Sequence, residues 1–107
     1  MKGIVTINAG VCGFTTTVTA DSEEMFKATL KIETNCPNIA KMAEELTEIN
    51  PFEEIGPKGE KSNIRKSFET HGKHGACPVP SGMVKALEVA AGLALPKDVS
   101  ITVTKEG

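Results

Sequence analysis

The first 34 residues read as three consecutive period-two runs, and this pattern restricts the fold more than any other feature of the chain. Gly3-Ile-Val-Thr-Ile-Asn-Ala9 sets Val5 and Ile7 on one side against Thr6 and Asn8 on the other. A turn, Ala9-Gly10-Val11-Cys12-Gly13, leads to a second run from Phe14 to Ala20. Here Phe14, Val18 and Ala20 point one way and Thr15, Thr17 and Thr19 the other. Asp21-Ser22-Glu23-Glu24 reads as a polar turn. Met25 to Thr34 then sets Phe26, Ala28, Leu30 and Ile32 against Lys27, Thr29, Lys31 and Glu33. Short turns join such runs only as antiparallel neighbours, so the expected sheet has one apolar face and one Thr/Lys-rich wet face.

Two helices are expected to cover the apolar face. Pro37 suits a first helical position, where its missing N–H costs nothing, and this makes Cys36 the N-cap. Ile39, Met42, Ala43, Leu46 and Ile49 form one stripe of that helix, with Lys41, Glu44, Glu45 and Glu48 toward water; Pro51 stops it. Residues 52–76 are rich in Gly, Lys, Glu and Pro and read as an irregular loop or lid. One short helical turn is expected there, around Ser62 to Phe68, anchored by Ile64 and Phe68. The second helix starts near Pro80 or Ser81 after a strand-like Cys77-Pro78-Val79 lead-in and ends near Leu95. Met83, Val84, Leu87, Ala90, Ala91 and Ala94 or Leu95 face the core, and Gly92 is a cap or close-packing position near its end. Beyond Pro96, Val99, Ile101 and Val103 alternate with Ser100, Thr102 and Thr104 as a last strand.

The fold expected from these elements is a single α+β domain over residues 1–107. It is a two-layer sandwich in which a four-stranded mixed sheet, in the order β-β-β-α-α-β, carries two helices on one face. The last strand would lie parallel to the first through a right-handed crossover. Val5, Ile7, Phe14, Val18, Phe26, Leu30, Ile32, Met42, Leu46, Val84, Leu87, Val99 and Ile101 are its expected core.

Charge and composition remove several classes of function. A net charge of −2 argues against nucleic acid and anionic membranes, which call for a basic face. Trp and Tyr are both absent, which removes the usual base-stacking platforms. No window approaches the roughly 18 apolar residues of a membrane span. The N-terminal residues pass directly into a strand pattern without an apolar signal segment, so a cytoplasmic location is expected. No phosphate loop, hydrolase triad or paired acid/base carboxylate motif is present; Gly56-Pro-Lys-Gly-Glu-Lys61 lacks the full P-loop pattern.

The three cysteines carry the chemistry. An odd count in a reducing compartment does not make a disulfide framework. Cys12 lies in the first turn, Cys36 at the start of the first helix and Cys77 just before the second, at element ends rather than in the apolar stripes. If the second helix runs back down the sheet, all three meet at one edge. Helix N-termini there favour anionic sulfur, and Gly10 and Gly13 let backbone amides approach a bound metal or cluster. His74, in His71-x-x-His74-x-x-Cys77, is the candidate fourth ligand and His71 a weaker one. The plainer alternatives are cysteines packed as small hydrophobes and histidines exposed in a glycine-flanked loop.

The set Asn8-Ala-Gly-x-Cys12-Gly-Phe14, Cys36-Pro37 and Cys77-Pro-x-Pro80 resembles small uncharacterised three-cysteine proteins of anaerobic bacteria and archaea. That resemblance implies metal chemistry in an anaerobic cytoplasm and no particular activity. The resulting expectation is a small metal- or iron–sulfur-binding accessory, carrier or sensor protein rather than a stand-alone enzyme. Cys12, Cys36, Cys77 and His74 would be the ligands, and the cofactor is undecided between an iron–sulfur cluster and zinc. One alternative is a thiol redox protein with Cys36 or Cys77 as nucleophile. The other is a protein-binding module that uses residues 52–76 and carries its cysteines incidentally. The partners considered are the metal or cluster, a protein partner and a second copy in a homodimer.

Overall fold

A computed structural model describes all of residues 1–107. Its elements are β1 (Lys2–Asn8), β2 (Thr15–Glu24), β3 (Lys27–Thr34), α1 (Pro37–Glu45), β4 (Glu48–Ile49), α2 (Pro51–Glu54), α3 (Asn63–His71) and α4 (Val79–Ala90). The class is α+β, and the four strands lie side by side in chain order. Val5 pairs with Val18, which pairs with Ile32; Gly3 pairs with Ala20, which pairs with Leu30. These registers stack the apolar side chains in rows on one face, where Val18, Ala20, Ala28 and Leu30 are buried. Thr6, Thr15, Thr29, Lys31 and Glu33 are exposed on the opposite face. The alternation therefore specifies both faces of the meander.

Helix α4 lies on β1 and β2 in close contact. A Cβ at Gly3 would run into the Ala86 carbonyl, and one at Gly82 would lie 2.6 Å from the Ile7 side chain. Glycine is needed at both places because helix and strand backbones approach there. Gly82 beside Ile7, Val89 beside Gly3 and Gly92 beside Met1 fix the direction of α4, which runs antiparallel to β1. Val79, Met83, Ala86, Leu87 and Ala90 are its buried stripe at helical spacing. Gly92, in the left-handed region at φ 76°, ends it: its N–H reaches the Val89 carbonyl and the Leu93 N–H the Glu88 carbonyl. Ile39 and Met42 of α1, Leu46 beyond it and Ile64 of α3 complete the core.

Several expectations are corrected. The sheet is wholly antiparallel rather than mixed, because its fourth strand is Glu48–Ile49 on the β3 edge and not Val99–Val103 beside β1. Residues 95–107 form no strand, and Val99 and Ile101 are 64% and 77% exposed. An alternating pattern selects a strand's two faces but not its neighbour. The first helix stops at Glu45 because the Thr47 carbonyl takes the Leu30 N–H and draws the chain onto β3, so Ile49 is buried from β4. Asp21–Glu24 continues β2 across a bulge, with the buried Ser22 hydroxyl donating to the Glu24 and Lys27 carbonyls. The turn is Met25-Phe26, which leaves Phe26 exposed against Phe52 with ring centroids 5.5 Å apart. Phe14, Val5, Ile32 and Val84 are half-buried.

Residues 52–76 hold most of α2 and all of α3, so four helices are present where two main ones were expected. Ser62 caps α3, its Oγ accepting from the Arg65 N–H. No helix is long and apolar enough to cross a membrane.

Candidate functional site

The β1–β2 connection is held by two backbone bonds, from the Ala9 N–H to the Phe14 carbonyl and from the Gly13 N–H to the Gly10 carbonyl. Gly10 and Gly13 take φ values of 90° and 74°, which other residues rarely adopt. A Cβ at either would meet nothing within 4 Å, so this loop stands clear of the body, with Cys12 exposed on it.

The next cysteine follows β3 at the same end of the sheet. The Thr15 N–H donates to Asn35 Oδ1 at 2.9 Å, tying the start of β2 to the residue after β3. Beneath it the buried Thr16 hydroxyl lies 2.7 Å from that of Thr34, and Thr34 Oγ1 also accepts from the Cys36 N–H. Cys36 is the N-cap of α1, but its thiol makes no capping bond. It is half-buried and packs against the core. Pro37 follows it, and the first turn of α1 contains no acidic residue.

Cys77 reaches this end by way of α4. The helix begins at Val79, with Pro78 already in the right-handed helical region, rather than at Pro80 or Ser81 after a strand-like approach. The Cys77 N–H closes a turn onto the His74 carbonyl at 3.1 Å. Like Cys36, Cys77 is half-buried against the core and precedes a helix whose first turn lacks an acidic residue. Because α4 starts beside Ile7, Cys77 shares the end of the sheet that carries Cys12 and Cys36.

The histidines separate. His74 is exposed in the turn before Cys77. His71, the last residue of α3, has Nε2 2.7 Å from Glu45 Oε1 at the end of α1, while the Ser67 hydroxyl donates to Glu45 Oε2. The His71 hydrogen bond, and then that of Ser67, hold the Glu45 carboxyl below its ordinary value against a smaller opposing effect of burial. The three cysteines thus share one end of the molecule, but no three His, Cys, Asp or Glu side chains are gathered into a group able to hold a metal ion. All three thiols are free.

Sequence reasoning overlooked Glu54. It is 1% exposed and accepts from the Ser62 hydroxyl at 2.5 Å and from the Asn63 and Ile64 N–H groups at 2.8 and 3.2 Å. It neutralises the start of α3, as acidic residues commonly do at helix N-termini. The helices preceded by cysteine, α1 and α4, have no such carboxylate in their first turns.

Residues 4–103 match a family of unknown function (DUF6951), and the chain belongs to that family. No curated protein and no solved structure matches it.

Proposed function

Membership of that family brings no activity with it, and we propose from the chain's own geometry that this is a metal- or iron–sulfur-binding protein. Cys12, Cys36 and Cys77 are its ligands, and its role is that of an accessory, carrier or sensor. The observation that carries this reading is the direction of α4, which starts beside Ile7 and so sets Cys77 at the end of the sheet holding the other two thiols. The donor set supports it: thiolates select zinc or iron–sulfur clusters over harder ions. Cys36 and Cys77 precede helices with unpaired N–H groups and no acidic residue in the first turn, so metal-bound sulfur there would find backbone donors and no opposing carboxylate. Cys12 rides on a glycine-bounded loop with free space around it, so it can close over a metal held at the other two. Three thiolates leave one position of a tetrahedral zinc, or one iron of a four-iron cluster, for His74, water or an external ligand. Free thiols in odd number suit a reducing cytoplasm.

Purification without oxygen tests this. A chain without Trp or Tyr is nearly transparent in the near ultraviolet, so cofactor absorption stands out. Brown protein with visible charge-transfer bands identifies iron–sulfur; colourless protein with one zinc per chain identifies zinc. Serine at each cysteine should lower the bound metal. Metal-free protein that neither takes up zinc nor accepts a reconstituted cluster would end the proposal.

The second reading is a thiol redox protein with Cys36 or Cys77 as nucleophile. The half-burial of both thiols at helix starts favours it over an unreactive core role. It requires one cysteine of the metal-free chain to alkylate rapidly below neutral pH. Uniformly slow alkylation of all three removes it.

A further inference from the structure

β1 is an edge strand, and its outer side has no partner in the chain. Its only charge is Lys2 at the first position, it contains no proline, and the one bulge in the meander falls elsewhere, between Asp21 and Glu24 of β2. Edges left open to water are normally blunted by such features. The opposite edge obeys this rule, since β4 is only two residues long. The open side of β1 is long and regular.

The same chain contains an unpaired segment of matching character. Val99, Ile101 and Val103 alternate with Ser100, Thr102 and Thr104, and the three apolar residues are 64%, 77% and 85% exposed. The last backbone N–H bonded within the chain is that of Ala94, and no backbone hydrogen bond follows it. The molecule measures 50 × 28 × 26 Å, as expected when one segment stands away from a packed body.

We propose that Val99–Thr104 of one chain adds as a fifth strand to the free edge of β1 in a second copy, with the reciprocal exchange closing a twofold dimer. The occupant is a second copy because each chain supplies one open edge and one unpaired strand, and a twofold axis satisfies both pairs at once. In that position Val99, Ile101 and Val103 extend the rows begun by Gly3, Val5 and Ile7 on the helix-covered face. Half-buried Val5 and Val89 form the apolar shelf that receives them. Strand addition supplies the missing main-chain hydrogen bonds, and alternate side chains supply the register.

Light scattering of the full chain should give twice the 11.3 kDa chain mass. Removing residues 99–107, or replacing Ile101→Pro to delete a ladder donor, should halve it. Neither change touches the core, so both variants should keep the parent's helical circular dichroism signal and lose only the contribution of the added strand. A sample mixed from isotope-labelled and unlabelled full chains should show intermolecular NOEs between Lys2–Asn8 and Val99–Thr104. A monomeric full chain, a dimer that survives both changes, or β1–tail contacts found only within one chain would each overturn the proposal.

Discussion

Glu54 is the polar residue on which the local structure depends most. Its carboxylate replaces water for one hydroxyl and two backbone N–H groups at the start of α3, and no buried side-chain polar atom is left unpaired. Glu54→Gln keeps the volume but turns one acceptor oxygen into a donor facing donors. We predict a loss of about 1–3 kcal/mol in urea unfolding, the usual cost of leaving buried groups unsatisfied; an unchanged midpoint would show that the site tolerates the amide. Glu45 leads to a different prediction. Its folded value is lowered chiefly by His71, so the unfolded chain binds its proton more readily and the stabilisation is present above the ordinary carboxylate range. It is lost as pH falls through the lowered folded value. The stability gap between the parent and Glu45→Gln should therefore close on acidification through that range, and a gap independent of pH would reject the linkage. Neither role was legible in the sequence: the partners of Glu54 lie eight to ten positions away and those of Glu45 on another helix, at spacings no motif prescribes.

At the scale of elements, periodicity was most informative where one face is completely dry. The stripe of α4 could be read because Met83, Leu87 and Ala90 return at helical spacing and all are buried. Leu87→Ala removes a fully buried side chain from that stripe and should cost roughly 2–5 kcal/mol by chemical denaturation. A loss well below that range would mean that α4 is loosely seated. Boundaries set by tertiary contacts were harder to read. Ile49 fits the helical stripe of α1, yet the Leu30–Thr47 backbone bond assigns it to β4. Phe26 fits the alternation of β3, yet the bulged extension of β2 moves the turn onto it. The α3 turn was legible from Ile64 and Phe68, four apart, since both pack inward.

Across the whole molecule, topology followed from the pattern of the first three strands and the direction of α4, and these place the cysteines at one end. The segment after Pro96 was misread because its alternation matches a strand, and alternation alone does not supply a hydrogen-bonding neighbour. The contact of Gly3 with Ala86 has a further consequence, for the order in which the molecule forms. The two hairpins close over short loops, whereas α4 must return from the far end of the sequence to reach the first strand, and late, long-range closures are the slow ones. Cys12 and Cys36 are therefore aligned by the hairpins alone, while Cys77 arrives only when α4 docks. During synthesis two of the thiols thus reach that end of the sheet before the third, whose arrival waits on the last helix to emerge.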